Sequence, residues 1–332
     1  MMKKKVKKGS ALVLALMLML SAVPLLKVQA ATAVDTTKTG SIGFSIAADF
    51  SDLSDARYPV TIDLYKVASI DASGTYTAEG AFEDLDVAYV ENGDSKAWGD
   101  RAEAAAGMAE GVSPDVTVQT ENGEATASDL PLGLYLVYPQ QMQSPLYTYT
   151  FTPYLISVPN NYYYTSTEGD DTWIYDLTGT NALELKVEQT RRLGSLQIDK
   201  QLVSHSTTMG DDASFVFQVD IPEYGDTPAV TKYVELTFDA IGTKHSLIED
   251  IPAGLTVTVT EVYTGAGYQL VAGATDRYQP EIVADSTATV TFVNEHDGTI
   301  TGGYGVVNHF VQNDAGTDYD WTQLVDNAFE AN

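Results

Sequence analysis

The chain has 332 residues, no cysteine, and 46 Asp+Glu against 18 Lys+Arg. Its first 30 residues hold six of those lysines and no acid, so the remainder carries a formal charge of −34. Such a surface repels nucleic acid and anionic lipid, and without cysteine the fold must be held by packing or by a covalent link other than a disulfide.

The chain opens with a basic stretch, MMKKKVKK, then an apolar one, SALVLALMLMLSAVPLL, and then Val28-Gln29-Ala30. This is the pattern of a signal peptide over 1–30, cleaved after Ala30. Pro24 and Lys27 interrupt the apolar run, which argues against a retained anchor. The expected product is an exported protein with no membrane association after cleavage. The roughly 300 residues that remain suggest two domains.

Tyrosine, threonine-rich alternation and frequent Gly/Asn/Asp turns predict mainly β structure. From Tyr58, YPVTIDLYKVASI alternates and ends at the turn DASG, 71–74. SKAWGDRAEAAAGMAEG, 95–111, is the single helical candidate, stopped by Gly111 and Pro114. ENGEAT marks a turn, and DLPLGLYLVYP, TFTPYLISVP and LELKVEQ read as strands. QTRRLGS, 189–195, marks the boundary between a first domain, 31–190, and a second, 194–312. The second unit offers LQIDKQLV, SFVFQVDI, KYVELTF, HSLIEDI, LTVTVTEVY and ATVTFVNEH, the spacing of a small sandwich. One more strand is expected in GGYGVVNHF, followed by an acidic tail, 313–332.

In a strand, alternate side chains share a face. Leu196, Ile198, Lys200 and Leu202 therefore point together, as do Leu255, Val257, Val259 and Glu261, and Ala288, Val290, Phe292 and Asn294. A lysine, a glutamate and an asparagine thus sit on three apolar rows. One explanation is a buried ion pair with a hydrogen-bonded asparagine, which repays little of its desolvation. The other is reaction. Burial favours a neutral amine and a protonated carboxyl. The Lys200 amine could attack the Asn294 side-chain carbonyl while Glu261 moves protons to the departing ammonia. The product amide is uncharged and suits an apolar core.

IDKQL, TVTVTEVY and TFVNE, in that order, resemble the first-strand Lys, middle-strand Glu and last-strand Asn of CnaB-type (SpaA-like) domains of Gram-positive pilins and adhesins. The resemblance covers roughly 194–297. It implies an autocatalytic Lys200–Asn294 isopeptide bond with Glu261 as the catalytic acid; Asn308 is a second-choice acceptor. The first domain is similar to the N-terminal domain of sortase-assembled major pilins, through YPVTIDLYKVA, the helix, DLPLGLYLV, FTPYLISVP and WIYDL. The fold implied is all-β in the main: two Ig-like, CnaB-type β-sandwich domains in tandem, the first with a short helical insertion.

Lys66 also points inward in the first domain, and the resemblance raises a second isopeptide there. The family's acceptor asparagine is not where expected, but Asn181 shares a face with Leu183 and Leu185 and could substitute, giving Lys66–Asn181. The family's acid after LYLV is missing, since Tyr138-Pro139 follows, and a lysine reaching to the rim is the competing reading. Lys186 in LELKVEQ lies near the family's sortase-polymerisation lysine and points outward, although the YPK sequence is absent. The final VDNAFEAN has no LPxTG-like motif, so a role as acyl donor is not expected.

The resemblance implies a structural protein rather than an enzyme, with chemistry only on itself and no cofactor. Expected partners are other pilin subunits and sortase, or host protein and glycan ligands if the chain is an adhesin that does not polymerise. The expected location is secreted or on the surface of a Gram-positive cell. Histidines 205, 245, 296 and 309 lie in separate segments without zinc spacing, and Asp314, Asp318 and Asp320 lack the pattern of a calcium loop; no metal is expected. Tyr162 to Tyr164 with Trp173 form either an exposed aromatic patch or ordinary cross-strand packing.

Overall fold

A computed structural model of the chain describes residues 33–88, 95–161, 172–207, 212–299, 306–312 and 319–325. The architecture is mainly β, in two units joined end to end. Ala30 and the leader lie outside the described residues, as do Tyr162 to Tyr164. Among the described residues no helix is long and apolar enough to cross a membrane.

The first unit is built on the Thr61–Ile70 strand, which pairs antiparallel with Gly133–Pro139, Tyr76–Ala78 and Val116–Gln119. Tyr154–Val158 closes the far edge of that sheet. A second sheet packs across it, with Thr39–Ser45 antiparallel to Glu124–Pro131 and parallel to Asp176–Leu177 and Leu183–Glu184. Between them lie Ile42, Phe44, Val60, Ile62, Leu64, Tyr135 and Val137.

The run GLYLV in Gly133–Pro139 is apolar at every position because both faces of its sheet are covered. Tyr135 and Val137 face the inter-sheet core. Leu134 and Leu136 face the other way, into a separate cluster with Phe82, Leu85, Ala105 and Ala109. The helix that supplies Ala105 spans Ser95–Met108, shorter at its end than the 95–111 expected; Ala109 directly follows it, and Gly111 stands at φ 78°. Ala102 and Ala105 are fully buried, and their small side chains let the helix sit close to the sheet. The helix is therefore a third layer of the first unit.

The second unit is a sandwich of two four-stranded sheets. One runs Gly242–Pro252, Leu193–Leu202, Thr287–His296, Tyr268–Leu270; the other runs Val230–Phe238, Ala213–Ile221, Thr258–Tyr263, Arg277–Tyr278. Leu193–Leu202, the first strand, lies parallel to Thr287–His296. Leu196, Ile198, Phe215, Phe217, Val257, Val259 and Phe292 fill the core.

The chain passes between units with one residue to spare. Val187–Arg191 pairs with Tyr147–Phe151 in the first unit, Leu193–Leu202 belongs to the second, and only Arg192 intervenes. The region expected to be a solvated tail differs from expectation. Tyr319–Val325 forms a strand paired antiparallel with Val306–Gln312. Its YDWTQLV alternates as a strand should, a pattern masked in the sequence by the acidic residues around it.

Candidate functional site

The three inward polar residues of the second unit come from three strands in two sheets. Lys200 lies on Leu193–Leu202, where the even-numbered residues 196 to 202 are buried. Asn294 lies on Thr287–His296, directly alongside in parallel register, with Lys200 opposite Phe292 and Leu202 opposite Asn294. Glu261 lies in the facing sheet, opposite Phe217. The sandwich thus brings together side chains 61 and 94 residues apart from Lys200.

All three are buried: Lys200 and Asn294 are 0 % exposed and Glu261 5 %. Lys200 Nζ donates to Glu261 Oε1 at 2.5 Å. The ammonium also lies 4.2 Å from the centroid of Phe215 and 5.8 Å from that of Phe217. These rings form an apolar wall that excludes water. Burial pulls the Lys200 pKa down to about 8, against the opposing pull of Glu261. Burial likewise pushes the Glu261 carboxyl up, with Lys200 and the nearby Asn294 amide holding it partly back. Both shifts favour the neutral pair.

Asn294 is the anomaly. Neither its Nδ2 nor its Oδ1 has a hydrogen-bond partner, and Glu261 Oε2 also lacks one. The amide is nonetheless close enough to Glu261 to help hold its carboxyl down. An unpaired buried polar group costs about 1–3 kcal/mol, so a structural asparagine here would be a liability. This counts against the ion-pair reading, in which Asn294 should be hydrogen-bonded.

The other expected sites fare differently. Lys66 and Asn181 are not brought together. Lys66 Nζ pairs with Glu79 Oε1 at 2.9 Å, its side chain 20 % exposed, on a cleft of about 370 Å³ that Asp115 also lines. Asn181 sits in a single 3-10 turn, Gly179–Asn181, and its Nδ2 turns to the Asp176 carbonyl at 3.4 Å. The register shift opposite Lys66–Ala68 and the bare Cα of Gly133, which packs on the Lys66 stem, let the amine run out to the rim. The Lys66–Asn181 link expected from the sequence is therefore withdrawn.

Lys186 is exposed, between the short Leu183–Glu184 strand and Val187–Arg191, with its carbonyl accepting from Thr152 N–H at 3.1 Å. Trp173 packs against the first unit's core rather than forming an open patch. His205 and His296 both pack against Tyr268, with ring centroids at 6.2 and 5.7 Å. Among the described residues no three His, Cys, Asp or Glu side chains are grouped to hold a metal. Asn308 lies on the Val306–Gln312 strand, whose described partner is Tyr319–Val325.

Sequence reasoning missed the phenylalanine wall and Glu79. SFVFQVDI carried the first signal, since Phe215, Phe217 and Val219 alternate. Nothing local marked Glu79.

Residues 196–297 match the model of a domain family of unknown function, DUF5979. No curated protein matches the chain. Among solved structures the chain is similar to the shaft pilin SpaA of Lactobacillus rhamnosus GG, at 10% identity, 79% of this chain, 100% of that one and a TM-score of 0.28. It is similar also to the full-length major pilin SpaD of Corynebacterium diphtheriae, at 12% identity, 80% and 99% coverage and a TM-score of 0.25. The minor pilin GBS52 of Streptococcus agalactiae is a third, at 14% identity, 80% and 99% coverage and a TM-score of 0.23.

Proposed function

We propose that the second unit locks itself with an amide between Lys200 Nζ and Asn294 Cγ, and that the chain is an exported, pilin-like structural protein of a Gram-positive surface. The observation that carries the first part is the buried, unpartnered Asn294 amide beside a Lys200–Glu261 pair whose members are both pushed toward neutrality.

Proton transfer from Lys200 to Glu261 gives a neutral amine and a protonated acid. The amine attacks Asn294 Cγ, and the acid hydrogen-bonds Oδ1 as negative charge develops there. The tetrahedral adduct passes a proton through Glu261 to Nδ2, the Cγ–Nδ2 bond breaks, and one ammonia leaves. Lys200 and Asn294 lie on adjacent paired strands, so the reaction would be intramolecular and need no cofactor. Exposure of Lys186 supports a further role as acceptor amine for a neighbouring subunit delivered by sortase.

The test is the intact mass of the folded mature protein. It should fall one ammonia short of the mass of its sequence, and Lys200→Ala should show no such deficit. A parent protein at the unmodified mass would leave a buried ion pair and end the covalent reading. For Lys186, incubation with a sortase and a sorting-motif peptide should label the parent and not Lys186→Ala; equal labelling would reject that assignment.

A further inference from the structure

The adjacent arginines in QTRRLGS reach from the crossing point into both units. The Arg191 guanidinium lies between two aromatic rings, 4.7 Å from the centroid of Tyr147 in the first unit and 4.5 Å from that of Tyr224 in the second. The two tyrosine hydroxyls meet at 3.2 Å, and Arg191 Nη2 donates to the Ala253 carbonyl of the second unit. Arg192 reaches a different set of partners, again in both units. Its Nη1 donates to the Ser144 carbonyl of the first unit at 2.6 Å, and its Nη2 to Asp285 of the second at 2.6 Å.

The backbone closes around the pair. Arg192 N–H donates to Leu146 O at 2.9 Å, Ala253 N–H to Arg192 O at 2.9 Å, and Asp285 N–H to Leu193 O at 2.8 Å. Gly254, at φ 80°, lets the Leu146 side chain press on it: a Cβ there would stand 2.6 Å from Leu146 Cδ2. One turn of the first unit and three loops of the second thus converge on two consecutive residues. A planar guanidinium can stack on both faces while its edge donates hydrogen bonds, which an ammonium cannot do.

We propose that Arg191 and Arg192 are a two-armed clamp that fixes the orientation of the second unit on the first, so that the tandem units move as one rigid body. A junction with one intervening residue is short but need not be stiff, because a single pair of backbone dihedrals can swing a whole unit. Contacts on both sides of the crossing remove that freedom. The clamp is independent of the Lys200–Asn294 amide, since none of its members touches that site.

The absence of cysteine makes the test direct. Glu103→Cys and Thr289→Cys, exposed positions in the first and second units, carry spin labels in the full mature chain. The distance between them is then read by pulsed electron paramagnetic resonance. The parent should give one narrow distance, Arg191→Ala/Arg192→Ala should lose it to a broad distribution, and Arg191→Lys should broaden it partly. Each unit's melting, and the one-ammonia shortfall of each variant against the mass of its own sequence, should remain as in the parent. A broad distribution in the parent, or a double variant as narrow as the parent, overturns the proposal. If the double variant does not fold, Tyr224→Leu removes one stacking face from a loop of the second unit, and the same two outcomes decide.

Discussion

Replacing Asn294 by alanine removes the acceptor while leaving the Lys200–Glu261 pair intact, so it isolates the contribution of the cross-link. Residues 200 and 294 are 94 apart, and closing a loop of that length lowers the entropy of the unfolded chain by an amount worth about 4.7 kcal/mol at 25 °C. A smaller effect of the substitution adds to this: truncation leaves a small cavity, at about 1 kcal/mol. The cross-link term therefore dominates. At about 4–8 °C per kcal/mol for a unit of this size, the second unit of Asn294→Ala should melt about 20–35 °C below the parent. Differential scanning calorimetry at neutral pH, with intact mass on the same samples, reads this directly. A variant melting within a few degrees of a cross-linked parent would refute the chain-entropy reasoning.

Other outcomes follow from the same geometry. Glu261→Ala should abolish the ammonia loss and, by leaving the Lys200 ammonium buried and unpaired, destabilise the second unit by a further 3–5 kcal/mol or so, measured by urea unfolding. The rate of amide formation, followed by mass after refolding, should be flat across the middle of its pH profile. The reactive neutral pair and the resting ion pair hold the same number of protons, so the rate drops only where the pair gains or loses one; the alkaline fall should begin near the depressed Lys200 value of about 8. In Asn294→Ala, which cannot cross-link, the folded state holds fewer protons than the unfolded one between about 8 and the ordinary lysine value of 10.5, so stability rises with pH there. It holds more protons above the ordinary glutamate value of 4.5, up to the raised Glu261 value, so stability falls with rising pH through that window. A stability minimum between the two windows is expected, and a maximum there would contradict the burial of both charges. Gly194→Ala should cost the second unit about 1–3 kcal/mol, because its Cβ would stand 2.2 Å from Val283 O; unchanged urea unfolding would show that the strand can shift.

The triad was legible because period-two alternation is strict in long strands buried on one face. Lys200, Glu261 and Asn294 each broke an otherwise apolar row, and no knowledge of neighbours was needed to see it. Lys66 presented the same signal with a different outcome. Its strand carries a register shift opposite Lys66–Ala68, and a shift of that kind re-aims the side chain without leaving a mark in the hydrophobic pattern. Strand alternation would put Asn181 on a face with Leu183 and Leu185, but a 3-10 turn ends at that residue, so the alternation does not extend to it. The helix was readable from its alanines, whereas its place as a covering layer depended on GLYLV being buried on both faces. The arginine pair stood out only as a boundary. Its partners lie in turns up to 93 residues away, and sequence patterns carry no information about which loops meet.

The parallel pairing of the second unit's first and last strands has a mechanical consequence. Because the two run the same way, the chain enters the sandwich at one end, through Leu193, and leaves at the opposite end, past His296. Tension along the chain would then load the ladder between these strands in shear, straining many hydrogen bonds together rather than unzipping them singly. An amide from Lys200 to Asn294 would bridge those two strands directly. The pull would run through residues 193–200, across the bond, and out through 294–296, leaving the intervening residues, 201–293, slack and folded.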